Sequence, residues 1–213
     1  MLKGTHVETI YYRLLEDLLI PPLVRLRIKP NHLTVLGLVI SLVAGVSFAF
    51  NTAFGGILTL LTGLVDTLDG CLARAIGETR KDGAFLDSVL DRYTELLIYL
   101  GIWAYFYRKG AATPVISLAM LFILFGSLMV SYTRARAEGL GQSCIVGLLQ
   151  RGERIIAIAL AGIFNPMVNN LGRILQIKEL EDIVLFFTLV MLAIGTNLTA
   201  LRRFLHVLKR LRS

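Results

Sequence analysis

Four aspartates stand at regular spacings in the stretch VDTLDGCLARAIGETRKDGAFLDSVLDRYTE: Asp66, Asp69, Asp87 and Asp91. Apolar runs flank the stretch, LTLLTGL before it and LLIYLGIWAYFY after it. A carboxylate inside hydrocarbon costs about 2.5–3.5 kcal/mol on insertion scales. Four of them together need a compensating partner, and a divalent cation bound through oxygen supplies one. Asp66 and Asp69 are i, i+3 on one helix and face one side. Gly83, Asp87 and Asp91 step by four and make one stripe on the next helix. Between them, about residues 76–82, lies a tight basic loop that joins the two helices antiparallel. Carboxylate pairs on facing helices can hold one or two metal ions in a bundle core. Gly70 and Gly83 remove side chains beside the carboxylates and let a ligand approach backbone. Arg74, one turn past Asp69, offers a planar fork for phosphate. The competing assignment is a solvated loop in which the aspartates pair with Arg74, Arg80, Lys81 and Arg92. It accounts for one such pair, but not for four carboxylates in register with two glycines.

The elements that position these residues read as membrane helices. Of the 213 residues, 55% are apolar and 17% charged, with a mean hydropathy of +0.70. That is far above a soluble domain. The fold class expected is all-α, with six transmembrane helices and an N-terminal amphipathic interfacial segment. Residues 1–29 form that segment, mixing charges with Leu, Ile and Tyr and broken at Pro21-Pro22. Residues 30–213 form the transmembrane catalytic domain. Pro30-Asn31-His32-Leu33-Thr34 starts the first span, with Asn31 or Thr34 as cap. The spans run over roughly 33–50, 57–75, 84–107, 114–134, 151–164 and 183–201, each near the ~20 residues needed to cross. Asn51 to Gly56 reads as a turn, and Asn165-Pro166 as an interruption of the fifth span. No signal-peptide pattern is present, so the first span is expected to act as its own insertion signal. Two cysteines, Cys71 and Cys144, make no disulfide framework. His6, His32 and His206 have no metal-ligand spacing.

The net charge of +7 fits anionic headgroups or phosphorylated substrates, and so apolar a chain argues against nucleic acid. With six spans both termini share one side. That side collects 18 of the 22 Lys and Arg, leaving only Arg108, Lys109, Arg173 and Lys178 opposite. The bias places both termini and the aspartates on the cytoplasmic side of a multi-pass cell-membrane protein. A second polar cluster lies on the same side. Ser131 to Leu140 ends the fourth helix, Arg151-Gly152-Glu153-Arg154 starts the fifth, and Arg202-Arg203 ends the sixth. Singly, Arg136, Arg151 and Arg202 read as anchors snorkelling to headgroups. Together, three helix ends bring Arg to the depth of the aspartates and suggest an anion receptor for a phosphorylated acceptor.

The pattern Asp66-x-x-Asp69-Gly70-x-x-Ala73-Arg74, eight residues, then Gly83-x-x-x-Asp87-x-x-x-Asp91 resembles the CDP-alcohol phosphotransferase signature at all eight fixed positions. The resemblance implies a membrane enzyme of phospholipid biosynthesis that moves a phosphatidyl-type group from a CDP-linked lipid to an alcohol. It implies two Mg²⁺ or Mn²⁺ ions on Asp66, Asp69, Asp87 and Asp91, with Asp91 also the general base. It implies a CDP-lipid site made of Asn31, His32, Leu33, Thr34, Asp66, Gly70, Ala73, Arg74, Arg80 and Gly83. SYTRARAEGLG and RGERII are similar to the subgroup that makes phosphatidylinositol phosphate, and to its archaeal archaetidylinositol phosphate counterpart. By that match Arg134, Arg154 and Arg203 bind the phosphate of inositol 1-phosphate. Arg80, beside Thr79, stands where the subgroup often has a small hydroxyl residue. The family also implies a homodimer. Two rivals are a transporter, whose carboxylates would be spread through the bilayer depth, and a relative using glycerol 3-phosphate, serine or another alcohol. Glu95 continues the stripe one turn deeper, where it orients a neighbour or packs.

Overall fold

The computed structural model describes residues 6–77 and 80–212, and among these every regular element is a helix. The order is α1 (His6–Leu18), α2 (Ile20–Arg25), α3 (Pro30–Phe50), α4 (Thr52–Ala75), α5 (Lys81–Arg108), α6 (Pro114–Glu138), α7 (Arg151–Leu175) and α8 (Ile183–Arg212). A single 3-10 turn, Lys178–Leu180, precedes α8. Five helices, α3, α4, α6, α7 and α8, are long and apolar enough to cross a membrane. The third expected span, α5, has the length at 28 residues, but Asp87, Asp91, Arg92 and Glu95 keep it out of the apolar set.

Local chemistry sets the boundaries, and several differ from expectation. Pro30 takes the first helical position of α3 and holds Lys29 extended at φ −90°, ψ 150°, as proline does to the residue before it. Lys29 is therefore the cap, and Asn31 and Thr34 fall inside the helix. Asn51 ends α3 and caps α4, its side chain accepting the Phe54 N–H at 3.1 Å. Helix α4 thus begins at Thr52, and Gly55-Gly56 belong to the helix. A Cβ on Gly56 would lie 2.5 Å from the Ala159 carbonyl oxygen of α7, so this glycine sets a helix crossing. The break near Pro21-Pro22 falls at Leu19, and the prolines occupy the first turn of α2.

Helix α7 runs unbroken through Asn165-Pro166. Proline is tolerated in membrane helices where neighbouring groups take up the freed backbone. Here Asn165 is wholly buried and donates to Asp182 Oδ1 at 2.7 Å. Asn169 donates to the same oxygen at 2.9 Å and accepts the Asp182 N–H at 2.8 Å. Tyr105 donates to Asp182 Oδ1 at 2.7 Å, and Lys109 Nζ donates to Oδ2 at 2.6 Å. One carboxylate therefore ties α5, α7 and the start of α8 together at one end of the bundle.

Packing places α3 against both α4 and α5, α4 against α7, and α8 against α6 and α7, while α4 and α5 touch each other little. Small residues allow the close crossings. A Cβ on Gly101 of α5 would lie 2.0 Å from the Gly45 oxygen of α3, and one on Gly126 of α6 would lie 2.3 Å from Thr196 Oγ1 of α8. The main core joins Phe48, Ile102, Ile123, Ile158 and Leu189, and a second cluster packs Leu15 and Ile20 on Leu33, Leu68 and Leu72. Outward positions such as Val39, Phe125 and Met191 are apolar and exposed, as lipid-facing surface should be.

Candidate active site

Helices α4 and α5, both leaning on α3, bring three of the four aspartates together. One carboxylate oxygen from each of Asp66, Asp69 and Asp87 lies within 4.8 Å of the others. Asp69 is buried, and its Oδ2 accepts from Thr34 Oγ1 of α3 at 2.9 Å. Asp87 Oδ1 is buried and has no hydrogen-bond partner among the described residues. A buried carboxylate oxygen left bare beside two more carboxylates is unfavourable unless a cation meets it. The trio fits a hard divalent ion that takes oxygen ligands.

Asp91 lies one turn further along α5, outside that trio. Its Oδ1 accepts from Arg151 Nη2 at 2.8 Å, and its Oδ2 lies 3.4 Å from Arg92 Nη2. Arg151 also pairs with Asp66 Oδ1. Sequence reasoning left Arg151 as a headgroup anchor. The structure turns its side chain inward, 17% exposed, to bridge α4 and α5 from the first residue of α7. The available signal was its place at a helix start on the aspartate side.

A cavity of about 550 Å³ opens beside Asp69 and Asp87. Of the expected nucleotide-lipid set, Asn31, Thr34, Gly70, Ala73, Arg74, Arg80 and Gly83 line it. Asp66 lies below it, in a small crevice with Asp91 and Arg151. His32 and Leu33 do not line it. The His32 ring accepts the Lys29 N–H at 3.5 Å, and Leu33 is buried with Val65 and Leu68. Thr79 lies outside the described residues. Lys29, Pro30, Lys81, Asp82 and Ala84, outside that expected set, complete the wall. Arg74 is held by Cys71, donating to its sulfur at 3.3 Å, and by the Tyr12 ring, whose centre is 6.0 Å away. A Cβ on Gly83 would meet Asn31 Oδ1 at 3.1 Å, so any larger residue there would crowd the rim.

The three expected acceptor arginines share one neighbourhood, with Arg203 inside Coulombic reach of Arg134 and Arg154. Their guanidinium groups are placed differently. Arg134 is half exposed and pairs with Glu138 at 2.8 Å. Arg154 is 1% exposed, pairs with Glu95 and donates to the Leu149 oxygen at 3.0 Å. Arg203, 3% exposed, donates to the Val146 and Val130 oxygens at 2.7 and 2.8 Å. Two of the three therefore pin the segment between α6 and α7 from inside. Glu95, left open between orienting and packing, is the buried partner of Arg154.

The family model for CDP-alcohol phosphatidyltransferase matches residues 27–192. The chain belongs to that family. Among the relatives of this CDP-alcohol phosphatidyltransferase is an archaetidylinositol phosphate synthase of Pyrococcus horikoshii. The two are 41% identical over 148 residues, which cover 68% of this chain and 74% of the relative. The phosphatidylinositol phosphate synthase of Mycobacterium tuberculosis with CDP-DAG bound superposes with a TM-score of 0.74 at 25% identity, covering 90% of this chain and 92% of that one. The same synthase in complex with manganese and citrate also gives 0.74 at 25% identity, over 88% and 86%.

Proposed function

We propose that this CDP-alcohol phosphatidyltransferase moves a phosphatidyl or archaetidyl group from a CDP-linked lipid to inositol 1-phosphate and releases CMP. The observation that carries the reading is the aspartate trio opening onto a cavity whose wall bears Gly70, Arg74 and Gly83. The named activity of the Pyrococcus horikoshii relative and the CDP-DAG bound to the Mycobacterium tuberculosis synthase support it.

Asp66, Asp69, Asp87 and Asp91 would hold two ions, Mg²⁺ or Mn²⁺. Such ions supply Lewis-acid stabilisation of the diphosphate and of the leaving group. Arg74 faces the diphosphate with a two-pronged donor, and Gly70 and Gly83 let the nucleotide lie against backbone. Asn31 and Thr34 close the α3 side of the cavity. Asp91 takes the proton from the acceptor hydroxyl. That oxygen forms a bond to the lipid-side phosphorus as the bond to CMP breaks. Arg134, Arg154 and Arg203 would bind the acceptor's phosphate.

Helix α5 would cross as well, bringing the five candidate spans to six. At 28 residues it is about 42 Å long, and Asp91 lies about 27 Å from Lys109 along it. The aspartates then lie near one membrane face and the Asp182 network near the other. Residues 1–29 would be the interfacial segment and 30–213 the catalytic domain, with both termini and the site in the cytoplasm. The working unit would be a homodimer, testable by light scattering in detergent.

The test is an acceptor panel with purified protein, CDP-lipid and Mg²⁺, following radiolabelled lipid and CMP. Inositol 1-phosphate should be used well and free inositol poorly. Equal use of both would sink the phosphate pocket, preference for glycerol 3-phosphate would reassign the acceptor, and no CMP release would sink the transferase reading.

A further inference from the structure

The four aspartates are not equally open to a cation. Asp69 accepts from the neutral Thr34 hydroxyl, and Asp87 Oδ1 has no hydrogen-bond partner among the described residues. Asp66 and Asp91 are different. Both give an oxygen to Arg151, and the second oxygen of Asp91 faces Arg92 at 3.4 Å. A guanidinium bridging two carboxylates stands where a cation shared by those carboxylates would have to stand. Like charges at that separation repel strongly in a water-poor site.

We propose that Arg151 competes with divalent cations for Asp66 and Asp91, so that the site loads in two unequal steps. The inference rests on the reading of the aspartates as metal ligands. The first ion uses the trio, with Asp66 offering the oxygen that Arg151 leaves free. The second ion needs Asp91 and so must displace the guanidinium. Apparent affinity for the second ion is then reduced by the fraction of molecules in which Arg151 has swung away.

Arg151 is placed to move. It is the first residue of α7, so only one side of it is held by helix. Next to it, a Cβ on Gly152 would meet nothing within 4 Å. Arg151 Nε is buried with no hydrogen-bond partner among the described residues, so its hold on the site is incomplete. Arg154, one turn on, has its charge engaged by Glu95 and is no such competitor.

Mn²⁺ binding to the detergent-purified protein, read from the free-ion EPR signal without substrates, tests this directly. The wild type should give a tighter and a weaker step. Arg151→Gln should tighten the weaker step by about tenfold or more and leave the tighter one within roughly threefold. Arg151→Lys keeps the charge but loses the planar fork with its fixed pair of donors, and should give an intermediate shift; it decides the question if the Gln variant does not fold. Arg92→Gln removes a neighbouring charge without removing the bridge and should shift the weaker step less than Arg151→Gln does. An unchanged isotherm in the Arg151 variants, or an equal shift in Arg92→Gln, would overturn the competition. No Mn²⁺ binding in the wild type would instead overturn the metal reading beneath it.

Discussion

At the residue scale the aspartates carry two roles that substitution can separate. Asp87 faces the trio with a bare oxygen, so Asp87→Asn should cut turnover by about a hundredfold or more, the scale of losing one preorganised electrostatic group. The protein should still fold, because volume and shape are kept, and a thermal melt in detergent checks that. Asp91→Asn should lose turnover further than donor affinity. If turnover and CDP-lipid affinity fall in equal proportion, Asp91 is a ligand and not also the base. The arginines separate as well. Arg134 is half exposed, and Arg134→Ala should raise the acceptor KM roughly tenfold to a hundredfold, the loss of a charge-assisted bond of about 1.5–3 kcal/mol. Arg154→Ala would leave the buried Glu95 charge unpaired and should cost about 3–5 kcal/mol of stability besides. Unfolding measurements beside kinetics distinguish the two. The aspartates were legible because i, i+3 and i, i+4 spacings are local and fix a shared face. Arg151 was not, because its charge suits a headgroup equally well until the packing of α7 on α4 turns it inward.

Among the elements, the helices were legible from hydropathy, but their ends and joints were not. Gly55-Gly56 and Asn165-Pro166 both read as breaks from local propensity. In the fold Gly55 seats α4 against Phe48 of α3 and Gly56 seats it on α7, and Asn165 is spent on Asp182. Neither use is visible without the partner helix. The Asp182 network makes a prediction of its own. Burial alone would raise this carboxyl, but the bonds from Lys109, Asn165, Asn169 and Tyr105 outweigh it and hold its pKa below the ordinary 3.8. A depressed carboxylate stabilises the fold above its ordinary value, and that contribution is lost as pH falls through the folded value. Asp182→Asn should therefore lower the melting temperature at neutral pH, and its deficit against the wild type should shrink below about pH 3.8. A deficit that stays constant to pH 2 would show that only shape, and not charge, holds this joint.

For the whole molecule, the decisive property is sidedness. The site needs a water-soluble acceptor and releases CMP, so the aspartates must face the compartment that holds both. Asp91 and Lys109 are separated by about 27 Å of helix, close to the ~30 Å hydrocarbon thickness. Among the described residues the basic side chains are split unevenly, with Arg108, Lys109, Arg173 and Lys178 alone at the end that holds Asp182. Two of those four are accounted for locally, since Lys109 is bound to Asp182 and Glu181 and Arg108 donates to the Ala49 oxygen. The remaining asymmetry is what orients a membrane protein during insertion. Cysteine labelling reads it out cleanly, because Cys71 and Cys144 are 1% and 0% exposed and give little background. Arg136 and Arg202 are exposed at the aspartate end and Lys178 at the other. A membrane-impermeant maleimide should label Arg136→Cys and Arg202→Cys only in inverted vesicles, and Lys178→Cys only in right-side-out cells. Labelling of all three from one side would mean that α7 and α8 do not cross, and the six-span arrangement would fall with them. The reverse pattern would keep six spans but turn the active site outward, away from any cytoplasmic supply of CDP-linked lipid.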